Sequence, residues 1–380
     1  MQTLRFDYRD ILLSPRLAWS FRKMSASLRG IFAAWAVYDI AAYLGLLLIP
    51  SARALGIVGL FRRYEFFPCV IPHNPGPAAF TVWIAGLAAA SYILLMTAAA
   101  VARIAFENLR GNDICQASEA RVFIRGRRLS VLVPAVVPGG VFVLAAVAAT
   151  AAGIVGRIPQ AGVIIVAILS IPLFFLALTG VFALIVFLYA PALVPAVAAS
   201  SGEDALEVLI EIWLTTLGRP VRTFFLTIFT ELVTLLSTAL LFIVSIGAVY
   251  FLYTLLGAVM GFAWYEVFTV SLYRIPFLMN SDFCVRLLIS LARTAWFPYL
   301  VDTSQSAMAV QAAGWLIGIS ALFVLAWIAS YAFSCFYCSQ VIVYLIIRKR
   351  LSGDDLRLKV PTAHSAVEST NSGNQPVNRQ

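Results

Sequence analysis

Six long apolar runs separated by polar stretches dominate the chain, lying near 30–50, 79–104, 130–155, 163–190, 223–264 and 308–347. A bilayer core about 30 Å thick needs about 20 apolar residues in a helix. The runs are unbroken and lack two-residue alternation, which excludes a transmembrane barrel. The pattern predicts an all-α integral membrane protein with six transmembrane helices at about 30–50, 79–104, 130–155, 163–190, 223–257 and 311–347. A basic amphipathic segment over 1–29 precedes them, and the polar tail 351–380 is too poor in apolar residues to fold. The last two runs, at about 40 residues each, would reach roughly 60 Å as helices. No plausible tilt absorbs that length, so either extends past the lipid, or the fifth breaks near Gly257 and Gly261. Between them, Trp264, Tyr265, Tyr273, Trp296 and Tyr299 suit an interfacial cap on the outer face.

Composition narrows the class further. Of 380 residues, 62% are apolar and 12% charged, and the mean hydropathy is +0.92. Soluble domains carry about 45–50% apolar and about 25% charged residues, so a soluble enzyme, a disordered chain and a coiled coil are excluded. The net charge of +9 does not point to nucleic acid, because the basic residues sit at the ends of apolar runs rather than on a soluble face. Twenty Lys and Arg fall in the amino-terminal segment, the second and fourth loops and the tail, against seven in the other loops. The positive-inside rule then places both termini in the cytoplasm. Ala52-Arg53-Ala54 looks like a signal cleavage site, but the regions before it are too long for a signal peptide. Arg outnumbers Lys 24 to 3, and no transit-peptide or targeting signal is evident; a bacterial cytoplasmic membrane is the expected location.

The polar features divide into surface charge and buried carboxylates. Ser14-Pro15 suits a helix start, and Leu17, Phe21, Met24 and Leu28 recur at helical spacing among Arg16, Arg22 and Lys23. Such a basic amphipathic helix lies on the membrane surface against anionic headgroups. Arg121, Arg125 and Arg128 form a stripe on a short helix opened by Ser118, and Asp204, Glu207 and Glu211 form an acidic stripe in the next cytoplasmic loop. Ser201 can cap the acidic helix, Gly218 can end it, and Pro220 prevents its continuation. Pairing of the two stripes would close the cytoplasmic face; two independently solvated faces are the alternative. Inside the spans, ionisable residues are costly and often functional. Asp39, flanked by Tyr38 and Tyr43, and Glu231 are the candidates, serving either a cation or proton site or a structural hydrogen bond.

Other features carry less chemistry. Cys335-x-x-Cys338 lies within an apolar span, where packing explains it better than redox or metal chemistry. Cys69 and Cys284 fall on the outer side, where a disulfide is permitted. His73 sits in a proline-rich outer loop and suits an interface better than a ligand role. Small residues at Gly86 and Ala90, and at Ala145, Ala149 and Gly153, suit close helix packing. Pro191 and Pro195 mark a bend into the loop or a broken end lining a cavity. No G-x-S-x-G, H-E-x-x-H or P-loop sequence is present, and no cofactor or metal is expected.

The segment 191–220, PALVPAVAASSGEDALEVLIEIWLTTLGRP, resembles polytopic bacterial membrane families of unassigned activity. In these a proline-ended span runs into an amphipathic helix, then a proline and another span. The resemblance implies a six-helix bundle and no particular activity. The segment departs from the coupling helix of ABC importer permeases: Glu203-Asp204-Ala205 lacks the second Ala, and no Gly follows at the family's spacing. The expected role is therefore a non-catalytic scaffold or accessory subunit contacting lipid and other membrane subunits. A transporter or permease subunit using Asp39 and Glu231 is the alternative.

Overall fold

The computed structural model describes residues 4–64, 68–71, 75–112, 114–279, 307–353 and 355–358. No strand occurs among them. After a short 3-10 turn (Tyr8–Leu13) come α1 (Ser14–Ala18), α2 (Phe21–Leu47), α3 (Pro50–Arg53), α4 (Gly56–Tyr64) and α5 (Pro77–Arg110). Then follow α6 (Ala117–Gly126), α7 (Arg128–Val155), α8 (Ala161–Ile168), α9 (Ser170–Ser201) and α10 (Ala205–Gly218). The chain continues through α11 (Pro220–Met260), α12 (Phe262–Met279) and α13 (Met308–Ser352). Six of these (α2, α5, α7, α9, α11 and α13) are long and apolar enough to cross a membrane. The large apolar side chains left exposed on them, such as Leu144, Leu235 and Ile171, suit a lipid solvent.

Several boundaries differ from the hydropathy reading. The first apolar helix starts at Phe21 rather than residue 30, so the last nine residues of the basic segment, with Arg22, Lys23 and Arg29, belong to that helix. Lys23 does not face headgroups: it is fully buried, its Nζ donating to the Leu17 carbonyl. Arg16, Arg22 and Arg29 remain exposed. The fourth run divides into α8 and α9 at Leu169. Helix α9 then continues through Pro191 and Pro195 to Ser201, so neither proline ends the helix. Pro195 has no N–H for the Pro191 carbonyl four residues back; the Tyr337 hydroxyl donates to that carbonyl instead, at 3.2 Å. The fifth run stays helical through Gly257 and stops at Gly261, whose φ of +62° suits a residue without Cβ.

The chain divides into two compact units. The first comprises residues 1–14, 99–230 and 337–380. Within it α7 packs along α9, and α10 lies against both. Gly139 receives the Phe187 ring, and Gly180 meets Ala145; Ala149 and Gly153 of the small-residue stripe stay exposed. Helix α9 ends on Gly202 at φ +66°, closing with the left-handed residue that such termini favour.

The second unit comprises residues 15–98 and 231–336. Here α2 meets α5 where Gly30 faces Thr97 and Gly86 faces Ala41; a Cβ on either glycine would overlap its neighbour. The buried hydroxyls of Ser27 and Ser334 join α2 to α13 at 2.8 Å. Ala42, Leu46, Ile49, Ala52, Leu60, Val70 and Ala79 form a continuous core around α3 and α4. Gly257 leaves room for Tyr265, and Gly314 for Val270, where α12 folds back along its neighbours. Residues 280–306 of the expected interfacial cap and 359–380 of the tail lie outside the described residues, as do His73 and Cys284.

Candidate functional site

The charged groups of the first unit form a lattice at helix ends. On α5, Glu107 sits between Arg103 (2.5 Å) and Arg110 (3.8 Å), the spacing that brings helical neighbours together. Arg103 also donates to the Ala199 carbonyl at 2.9 Å, near the end of α9. Its guanidinium lies 4.1 Å from the Phe123 ring centroid, which Arg127 also approaches at 5.0 Å. Arg110 donates to the Arg357 carbonyl (3.3 Å), and Arg357 pairs with Asp355 at 2.7 Å. The Arg357 guanidinium holds the Asp355 carboxyl below its ordinary range.

The acidic stripe takes a partner other than the one its spacing suggests. Glu211 is buried and pairs with Arg348 of α13, with the Tyr344 hydroxyl beside the carboxylate. Burial raises the Glu211 pKa, and Arg348 pulls it partly back down. No ion pair among the described residues joins Arg121, Arg125 or Arg128 to Asp204, Glu207 or Glu211. The expected pairing of stripes is therefore corrected, and the reason is geometric. Helix α6 ends at Gly126, so Arg128 opens α7 and the basic stripe spans two helices. Helix α6 is opened by Gln116 and Glu119 in a capping box rather than by Ser118. Asp204, not Ser201, is the residue before α10; Ser201 is the last residue of α9. Asp204 and Glu207 are exposed, as are the three arginines.

The two intramembrane carboxylates lie in the second unit. Asp39 is partly buried, and its Oδ1 is sealed from solvent with no hydrogen-bond partner among the described residues. The Tyr38 hydroxyl beside it in sequence donates instead to the Pro68 carbonyl at 2.9 Å. Glu231 is exposed on α11 and has no ion-pair partner among the described residues. Cys335 and Cys338 are fully buried, with Cys335 Sγ 3.5 Å from the Ser237 hydroxyl. Cys69 is a free thiol. Among the described residues no three His, Cys, Asp or Glu side chains gather to hold a metal.

A basin in the first unit was not anticipated from sequence. Its volume is about 780 Å³, and Arg219, Arg222, Arg350, Asp7, Tyr8 and Phe225 line it. No family model, curated protein or solved structure matches this chain. The site is therefore read from its own geometry. Asp7 pairs with Arg350 at 2.7 Å, leaving Arg219 and Arg222 beside the first turn of α11. The only sequence signal was the cluster Arg219-Pro220-Val221-Arg222; Asp7 and Arg350 come from opposite ends of the chain.

Proposed function

We propose that this protein is a non-catalytic scaffold or accessory subunit of a bacterial cytoplasmic membrane complex, with both termini cytoplasmic. The observation that carries the reading is the uncovered face of α11. In its most apolar window only 6% of the residues are buried, the least of the six long helices. Glu231, Leu235, Ala239 and Phe242 fall on one side of that helix, and all are exposed. A charged residue at a helix centre in lipid costs about 2.5–3.5 kcal/mol or more. A neighbouring membrane subunit that offers a donor to Glu231 removes that cost. Elsewhere the buried carboxylates Glu107 and Glu211 are engaged in ion pairs, which suits a structural use of charge. Arg16, Arg22 and Arg29 supply contacts to anionic headgroups, and nothing in the charge pattern favours nucleic acid.

A photo-crosslinking residue at Leu235, with Leu144 on α7 as the exposed control, tests this in native membranes. A discrete protein adduct at Leu235 alone is expected. Lipid adducts at both positions would refute the subunit reading. Orientation is checked separately by labelling single cysteines placed at Ser118 and Ser51; the first should be blocked only by reagents that enter the cytoplasm.

The second reading, a transporter or permease subunit, rests on the sealed and unpartnered Oδ1 of Asp39. It predicts that Asp39→Asn abolishes proton-coupled uptake in reconstituted vesicles. The scaffold reading predicts no uptake to lose, and a normal complex recovered with the variant.

A further inference from the structure

We propose that the basin at the start of α11 binds the headgroup of an anionic phospholipid, with an acyl chain in the apolar groove beside it. Three guanidinium groups (Arg219, Arg222 and Arg350) face the basin against one carboxylate, that of Asp7. Asp7 is engaged by Arg350. Arg222 is half-buried and within electrostatic reach of Arg350, Arg219 and the Asp7 carboxylate, with no hydrogen-bond or ion-pair partner of its own among the described residues. Three cations that share one carboxylate still repel one another, and a phosphate between them relieves that repulsion. Pro220 begins α11 and the Thr223 N–H bonds the Arg219 carbonyl at 3.0 Å, so the first turn offers the backbone N–H groups of Val221 and Arg222, which lack intrahelical acceptors.

The groove supplies the second half of the argument. It holds about 420 Å³ and shares Pro220, Val221 and Phe225 with the basin. Its remaining walls include Ile185, Thr223 and Phe224. Thr216 also lines it; this residue is only 2% exposed, and its hydroxyl has no hydrogen-bond partner among the described residues. A buried, unpartnered hydroxyl in the wall of an apolar groove is costly unless an acceptor arrives, and the ester carbonyl of a glycerolipid is such an acceptor. A basic basin joined to an apolar groove at a shared wall fits an amphiphile. A free phosphate would use only the first half. The site is distinct from the exposed arginines of α1 and α2, and it rests on the membrane reading but not on the scaffold role.

The test is native mass spectrometry of the full chain released from nanodiscs containing phosphatidylglycerol and phosphatidylcholine in equal amounts. Extraction that requires detergent checks the membrane reading independently. The expected result is preferential retention of phosphatidylglycerol, which falls about twentyfold in Arg219→Gln/Arg222→Gln. Val221→Trp, which fills the shared wall, should lower retention while leaving the arginines in place. Equal retention of the two lipids by the unaltered protein would overturn the proposal without any variant. Retention unchanged in the double variant would overturn it too. Displacement of the lipid by inorganic phosphate, with Val221→Trp having no effect, would identify a phosphate site and refute the phospholipid.

Discussion

Removing Arg348 should destabilise the first unit more than removing the charge of Glu211, and the difference follows from where each side chain lies. The Glu211 side chain is 6% exposed and the Arg348 side chain 25%. Breaking a buried ion pair by deleting one partner costs about 3–5 kcal/mol, because the survivor stays buried and charged. In Arg348→Met that survivor is a carboxylate with little access to water. Allowing for the partial exposure of the pair, a loss of about 2–3 kcal/mol is expected. In Glu211→Gln the survivor is a long cation that can swing outward and the buried negative charge is gone, so a change of less than about 1 kcal/mol in either direction is expected. Replacing both by Met should recover most of the loss, since apolar substitution of a whole buried pair is often neutral. Reversible unfolding of these proteins and of Glu211→Met, which closes the cycle, gives the coupling energy in mixed micelles. Additive single effects, or an Arg348→Met within about 0.5 kcal/mol of the unaltered protein, would refute the reasoning.

The same pair sets a pH dependence. Burial raises the Glu211 pKa in the folded protein, with Arg348 opposing. A group whose folded pKa lies above its unfolded value stabilises most below the unfolded pKa and loses that contribution as pH rises through the folded one. Stability should therefore decline through the range just above ordinary carboxylate titration. Glu211→Gln should flatten this slope, and Arg348→Met should steepen it.

Three further outcomes are expected. Gly86→Ala should cost about 1–3 kcal/mol by overpacking against Ala41, whereas Gly140→Ala, which meets nothing within 4 Å, should be neutral or gain up to about 1 kcal/mol of helix propensity; thermal unfolding in detergent separates them. Tyr337→Phe should cost about 1 kcal/mol by orphaning the Pro191 carbonyl, and much of that cost should vanish in a Pro195→Ala background, where the helix regains its own donor. Acidification through the ordinary Asp range should weaken the Asp355–Arg357 contact, since a carboxylate held below its unfolded pKa stabilises above that pKa and loses this as pH falls; Asp355→Asn should remove that part of the acid sensitivity in a pH titration of stability.

The six apolar helices were legible because a membrane solvent demands runs of a length that nothing else in the chain imitates. Local punctuation was legible as well: Gly218 and Pro220 separate α10 from α11, and Gly261 ends α11. Residues whose partners are distant in sequence were not. Glu211 finds Arg348 137 positions away, and no stripe on a helical wheel reports that. Lys23 reads as a surface cation because its charge is visible in sequence and the carbonyl of Leu17 is not. The prolines of α9 misled for a related reason. Their missing N–H groups argue for a break only until a side chain such as Tyr337 is known to serve the freed carbonyl. Asp39 and Glu231 were locatable as carboxylates within apolar runs, but which atoms face them is a tertiary fact.

The carboxylate on α11 also bears on how the protein is made. On the insertion scale a central charged residue such as Asp costs about 2.5–3.5 kcal/mol, while each Leu, Ile, Phe or Val returns roughly 0.3–0.6. The leucines around Glu231, among them Leu232, Leu235 and Leu236, are numerous enough for the translocon to admit the helix with its charge aboard. The penalty then falls on chains that have entered the bilayer and found no neighbour. On the proposed subunit reading, membrane proteases that extract helices with poorly lodged polar groups would clear such orphans, coupling the abundance of this protein to that of the proposed partner. Glu231→Leu would lengthen the half-life of the unassembled chain while leaving its insertion unchanged.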